Sequence, residues 1–313
     1  MSAAHQMFDE MTLQKRKPIP DVLYHYTTME GLLGIVRTGK LWLSHIKYLN
    51  DSLEYEFLWN LLKVRVDRRI RTSAQLEKAE RERLLSLLGF RADLETFVAS
   101  FSADGGDRLS QWRGYCPNGI GFSIGFSGLL LEDFVNQHNS DPVPSKLTAS
   151  VMPIQYLSED DAEKFDEIIV GGWKSPVESP GLTKERMFST LMSAFAWAYK
   201  HNSFKEENEW RLTLSSFSLP PPKPRHELSP AVERILYGPE NPIPGLSFRP
   251  GKSMLIPYRE INLRKLETDF IKRITIGPTP HKDLSLKAVE ELLRSHGHTN
   301  FQIEHSNAPY RHW

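Results

Sequence analysis

The spacing of apolar and polar positions changes period repeatedly along the chain, and each change marks an element. Val22-Leu23-Tyr24-His25-Tyr26-Thr27 is rich in aromatic and β-branched residues and predicts a first strand. Thr27 or Thr28 caps the helix that follows. Glu30 lies in its first turn, Met29, Leu32, Leu33 and Val36 form one apolar stripe, and Gly39 stops it. Leu41 to Ser44 predicts a second strand. Asn50-Asp51-Ser52 reads as the N-cap of a long helix whose buried stripe is Leu58, Leu61, Leu62 and Val66, and a second amphipathic helix ends near Gly89. Phe97 to Ser102 predicts a strand, Leu109, Trp112 and Tyr115 share the face of a short helix, and Gly119 to Phe126 predicts another strand. The alternating glycines of that strand indicate close approach of another backbone or of a ligand.

The second half is less regular. Residues 136–150 read as a polar loop, Met152 to Leu157 as a short strand, Asp160 to Val170 as a helix and Gly171 to Gly181 as a loop. Residues 183–200 read as an interior helix, apolar on most sides. The stretch from Lys200 to Leu214 passes through an acidic turn into a strand. There Trp210, Leu212 and Leu214 take one face, and Glu209, Arg211 and Thr213 the other. Ser253 to Tyr258 and Ile271 to Gly277 predict strands, Leu284 to Leu293 a helix and Phe301 to Glu304 a last strand. Strands set among helices without a βαβ rhythm predict an α+β fold, with a mixed, largely antiparallel central sheet flanked by helices. Residues 1–20 read as a loose N-terminal arm. Residues 21–313 read as a single domain carrying a Pro-rich insertion or lid near 217–251.

Composition narrows the function classes. Lys plus Arg and Asp plus Glu both number 39, so the formal charge is zero and a general electrostatic grip on nucleic acid or membrane is disfavoured. The single cysteine, Cys116, rules out an internal disulfide framework and a thiolate-rich metal cluster. No apolar run reaches the length of a membrane span and the N-terminus lacks a signal-peptide layout, so a cytoplasmic protein is expected.

Four clusters place polar groups where packing would not call for them: Tyr24-His25-Tyr26-Thr27, Asn50-Asp51 with Glu54, Gln111-Trp112 with Tyr115, and Glu207 with Glu209 and Arg211. Each has a bland alternative. His25 also reads as a satisfied core histidine, Asn50-Asp51 as a cap, Trp112 and Tyr115 as core, Glu207 as a solvated carboxylate, and Glu209 as the partner of a cation at a sheet edge.

The order of these segments resembles a known family. YHYT, a short helix, KLWLS, LNDSLE, SFS before Trp-x-x-Tyr, GIGFSIGF and FKEENEWRL follow one another as in the bacterial domain of unknown function numbered 2971, over most of residues 22–278. That family implies no activity. A more distant resemblance does. His25 with Thr27 at the end of a strand, the helix from Leu32 to Gly39, and the E-x-E of Glu207-Asn208-Glu209 are similar to the His/Glu branch of ADP-ribosyltransferases, which includes DNA-targeting toxins and RNA 2′-phosphotransferases. The resemblance implies an ADP-ribosyltransferase-like fold and NAD as a substrate, with no metal needed. It makes Glu209 and His25 catalytic. It places Tyr24, Tyr26, Thr27, Ser44, Asn50, Asp51, Trp112, Tyr115, Glu207 and Arg211 around the ligand, with Tyr48, Tyr55 or Tyr115 stacking on nicotinamide. The acceptor is then nucleic acid, protein or a small molecule, as for a toxin or defence effector, and the basic row Arg65, Arg68, Arg69 and Arg71 leans towards nucleic acid. Two other classes stay open. One is a metal-dependent nuclease or hydrolase using His25, Asp51, Glu54 and Glu209. The other is a nucleotide-binding sensor module without turnover.

Overall fold

The computed structural model describes residues 17–49, 54–73, 75–89, 91, 94–116, 120–140, 147–158, 183–216, 245–251, 253–267 and 269–308. In chain order the elements are β1 (Val22–Thr27), α1 (Met29–Thr38), β2 (Lys40–His45), α2 (Glu54–Thr72), α3 (Lys78–Ser86), β3 (Thr96–Ser102), α4 (Leu109–Tyr115), β4 (Phe122–Ser127), α5 (Gly128–Ser140), β5 (Thr148–Pro153), β6 (Gln155–Leu157), α6 (Lys184–Phe195), β7 (Tyr199–His201), β8 (Glu209–Ser215), β9 (Leu246–Pro250), β10 (Leu255–Asn262), β11 (Ile271–Ile276), α7 (Lys282–Ser295) and β12 (Gln302–His305).

The fold is α+β with an open, largely antiparallel central sheet. Its main path runs β12-β11-β4-β1-β3-β2-β10-β9, with β8 paired to β3 and β5 paired to β8. Among the described residues only β11 and β12 run parallel within it, and β6 and β7 form a separate parallel pair. The consequential feature is the branching at β3. One edge of β3 pairs with β8 along its whole length, from Thr96 opposite Ser215 to Ser102 opposite Glu209. The other edge is shared. β2 takes its start, with Ser44 opposite Val98, and β1 takes its end, with Tyr24 opposite Ser102. Between those two pairings β1 and β2 diverge, and the backbone of residues 99–101 is left to find other partners.

Two apolar clusters hold this sheet. One packs Leu23, Phe97, Phe101, Phe126, Trp210, Leu212 and Leu214 against α1, α5 and α7. The other packs the α2 stripe Leu58, Trp59, Leu61, Leu62 and Val66 against α6. Each of these side chains, taken fully out of water, contributes roughly 1.5–3 kcal/mol. The Thr28 hydroxyl caps α1 by accepting from the Gly31 amide, and Gly39 ends it in the left-handed region at φ 67°. At Gly121 a Cβ would come within 2.5 Å of both the Thr27 carbonyl and the Cys116 sulfur. Close approach of protein atoms therefore explains this glycine.

Several boundaries differ from the pattern-based expectation. The interior helix expected over 183–200 ends at Phe195; a short 3₁₀ turn follows and Tyr199–His201 becomes a strand. All-round apolarity marks burial, and it could not show where the helix stops. Residues 136–140 belong to α5 and 148–150 to β5, and Leu246–Pro250 form β9. The expected strand from Met152 to Leu157 is divided at Ile154, whose amide donates to the Glu209 carbonyl at 2.8 Å. The Asn50-Asp51-Ser52 cap, the expected helix 160–170, the loop 171–181 and most of the Pro-rich insertion lie outside the described residues.

Candidate functional site

A cleft of about 320 Å³, open to solvent, lies where β1 parts from β3. It is lined by Tyr24, His25, Tyr26, Ser100, Phe101, Ser102, Gln111, Tyr115, Glu207 and Glu209. His25 and Glu209 thus share one cleft although 184 positions separate them. The sheet branch explains the first of them. The His25 Nδ1–H donates to the Ser100 carbonyl at 2.9 Å, so the imidazole stands in for the strand amide missing at that rung. A carbonyl can only accept, which fixes the proton on Nδ1 and leaves Nε2 as the acceptor of the neutral ring. Burial pushes the His25 pKa below its ordinary value, and the Ser100 carbonyl only partly opposes this, so the neutral form dominates at pH 7.

Glu209 begins β8 and is only 4 % exposed. It sits inside the sheet, between β3 and β5, where a sheet-edge pairing had been one expectation. Its Oε1 accepts from Arg211 Nε at 2.7 Å. Its Oε2 accepts from Lys200 Nζ at 3.0 Å and from Arg211 Nη2 at 3.2 Å. Burial alone would raise its pKa, but the charges of Arg211 and Lys200 and hydrogen bonds from Arg211 and Ser100 hold it down at about 2. It is therefore an anion throughout the physiological range. It can stabilise a developing positive charge, and it is too weak a base to shuttle protons at neutral pH.

The acidic turn is built around Asn208. Residues Asn202–Glu207 form a 3₁₀ segment that ends with Asn208 in the left-handed conformation, φ 41° and ψ 52°. Its side-chain amide donates to Asp104 at 2.8 Å and its carbonyl accepts from the Ala103 amide at 3.0 Å. This reversal brings Glu207 and Glu209 to the same ammonium, with Lys200 Nζ 2.6 Å from Glu207 Oε2. Asn tolerates that conformation and a β-branched residue does not. Asn208→Val is expected to cost about 1–3 kcal/mol more than Asn208→Gly in urea unfolding, since both lose the Asp104 bond and only valine resists the left-handed backbone. Equal stability of the two variants would show that the left-handed turn is not required.

Half of the twelve expected site residues line the cleft: Tyr24, His25, Tyr26, Tyr115, Glu207 and Glu209. Tyr26 is positioned from both ends. Its hydroxyl accepts from the Arg108 amide at 2.9 Å and its ring meets Trp112 edge-on at 4.8 Å. Trp112 itself is fully buried, with its indole N–H on Asp107 at 2.8 Å, so it backs the cleft from the core. Arg211 lies behind Glu209 with Nη1 on the Trp197 carbonyl at 2.8 Å. Thr27, whose carbonyl accepts from Cys116, and Ser44, which accepts from Arg249 at 3.0 Å, do not line the cleft. Asn50 and Asp51 lie outside the described residues, as does the side chain of Glu54. Of the basic row expected to meet an acceptor, Arg65 is buried.

Sequence patterns alone missed Lys200, Ser100 and Ser102. Lys200 is 2 % exposed at the centre of the acidic pair, and an ammonium ending an apolar run was the available signal. Ser100 and Ser102 read as ordinary strand residues; register puts them opposite Arg211 and Glu209.

Acid should act on this site in two ranges. His25 has a lowered folded pKa, so its contribution to stability is complete above pH 6.5 and is lost as pH falls below that value. Glu209 has an ordinary value of 4.5 and a folded value of about 2. Its contribution, roughly 3 kcal/mol, is present above pH 4.5 and disappears on the way down to pH 2. In thermal melts against pH, His25→Phe should shrink the first decline and Glu209→Gln the second. Profiles unchanged by either substitution would contradict these assignments.

No curated protein and no solved structure matches this chain. Residues 111–212 match the family model described as Protein of unknown function (DUF2971). That span runs from Gln111 on α4 to Leu212 on β8 and takes in Tyr115, Lys200, Glu207, Glu209 and Arg211. The match supports the chain's resemblance to that family through the half of the cleft that carries the carboxylates.

Proposed function

We propose that the cleft binds NAD and cleaves its nicotinamide–ribose bond, transferring ADP-ribose to a protein, nucleic-acid or small-molecule acceptor. The observation that carries this reading is the convergence of His25 with Glu207 and Glu209 in one aromatic-walled cleft. As the C1′–N1 bond breaks, its electron pair leaves with neutral nicotinamide and the ribose takes on oxocarbenium character. A fixed carboxylate at Glu209 stabilises that charge, and Glu207 is placed to hold a ribose hydroxyl. His25 Nε2 accepts from a second hydroxyl. Tyr115, 40 % exposed, supplies the flat surface for the pyridine ring. The acceptor oxygen then forms the new bond to C1′ and loses its proton to solvent. The cleft is open to solvent, so a bound dinucleotide would lie along its open side and not be enclosed by it.

The engagement of both Glu209 oxygens favours a second reading, a nucleotide-binding module without turnover. A metal-dependent hydrolase is harder to build. Two adjacent cations already share the Glu209 charge that such an ion would need. The deciding experiment incubates the protein with NAD and follows free nicotinamide, wild type beside Glu209→Gln. Release by wild type alone supports the transferase. NAD binding by both without release supports the module. Silence with no NAD-induced thermal shift counts against both.

A further inference from the structure

We propose that Gln111 determines specificity in this cleft, reading a planar ligand group that presents a hydrogen-bond donor beside an acceptor, as the carboxamide of nicotinamide does. The inference rests on the NAD reading and names the contact that would select the ring.

Gln111 is on α4, only 6 % exposed, and lines the cleft. Among the described residues its side chain has no hydrogen-bond partner, in contrast to its neighbours. Trp112 donates to Asp107, Tyr26 accepts from Arg108, and His25 bonds Ser100. A primary amide carries two donors and an acceptor, and in a side chain this little exposed they are left to the solvent of the cleft, with no bond to the described residues that would account for glutamine in place of Leu or Met. Packing alone therefore gives no reason for glutamine here. A ligand amide does, because a carboxamide can meet both halves of the Gln111 side chain at once.

The surroundings fit the same group. Tyr115 is one helical turn beyond Gln111 and so on the same face of α4. Tyr26, fixed by its hydroxyl and by Trp112, completes an aromatic wall. The carboxylates of Glu207 and Glu209 are balanced by Lys200 and Arg211, so discrimination falls to hydrogen bonding. The cleft should therefore prefer nicotinamide to nicotinate, whose carboxylate cannot donate to the Gln111 carbonyl. An adenine edge offers the same donor–acceptor pair, so the test must separate the two sources.

The experiment measures dissociation constants for nicotinamide, nicotinate, adenosine and NAD by calorimetry, on wild type and Gln111→Leu, with a thermal melt of each protein. The expected result is nicotinamide binding that exceeds nicotinate binding and weakens at least about tenfold in Gln111→Leu. The unliganded variant should melt no lower than wild type, because the substitution breaks no hydrogen bond among the described residues. Dependence on Gln111 for adenosine but not nicotinamide would overturn the carboxamide assignment. NAD binding that ignores Gln111 would overturn the proposal and leave the NAD reading standing. No binding of NAD, nicotinamide or adenosine would overturn both. If Gln111→Leu and the closer-shaped Gln111→Met both melt well below wild type, Gln111 is a packing residue and the proposal fails.

Discussion

Glu209→Gln should lower nicotinamide release about 100- to 1,000-fold while leaving NAD affinity within a few-fold of wild type. The size follows from what the carboxylate is placed to do. Donors and charges aimed at the transition state lose roughly two to three orders of magnitude in rate when one is removed, and an amide of the same shape removes the charge while keeping the contact. In the proposed complex ground-state binding would rest more on the aromatic walls and on Gln111, so affinity should survive. The variant also disturbs a buried network. Arg211 keeps the Trp197 carbonyl and Lys200 keeps Glu207, so the protein should fold with reduced stability. Two controls keep rate and stability apart. Rates are referred to folded protein by a melt in the same buffer. Glu209→Asp retains the charge but withdraws it by one methylene, so it should regain more stability than rate. A Glu209→Gln enzyme releasing nicotinamide at the wild-type rate would end the catalytic assignment.

The pair at the centre of that prediction was legible in the sequence because each member breaks a local pattern. His25 is a polar residue in an aromatic strand, and Glu209 is a charge opening a strand whose other face is Trp210, Leu212 and Leu214. Such conflicts between pattern and composition are where function is expected to intrude. What lay beyond reach was set by partners distant in sequence. Nothing near Ser100 reveals that β1 and β2 diverge from the same edge of β3, yet that branching gives its carbonyl to His25. Lys200 was hidden by the apolar run before it, whose late conversion to the β7 strand carries the ammonium under the carboxylates. The resemblance put Trp112 and Arg211 beside the ligand. Trp112 instead braces Tyr26 and Arg211 holds Glu209 ionised. Helix α5 was unmarked because the continuous run Leu129-Leu130-Leu131 shows no period, while Leu130, Leu131 and Val135 pack into the core.

Lys200→Met is expected to cost about 3–5 kcal/mol, more than replacement of a surface lysine, which typically moves stability by under 1 kcal/mol. The reason is asymmetry. The Lys200 ammonium is nearly inaccessible and lies 2.6 Å from one carboxylate and 3.0 Å from another. Met preserves much of the stem volume, so packing against Phe204, whose ring centroid is 5.1 Å from the ammonium, changes little. The loss is electrostatic: two carboxylates held together by a shared cation are left to repel each other. Removing one charge should relieve this. Lys200→Met with Glu207→Gln is therefore expected to recover part of the loss, giving a coupling of about 1–3 kcal/mol in a double-mutant cycle from urea unfolding. The same cycle bears on the site. In Lys200→Met the carboxylates must take up protons more readily, so the acid-induced loss of stability should begin at higher pH than in wild type, and the double variant should move it back. Additive effects of the two substitutions, or an acid transition that does not move, would mean that Lys200 fills space and does not hold the acidic pair. The fixed, ionised Glu209 on which the proposed chemistry depends would then have to rest on Arg211 alone.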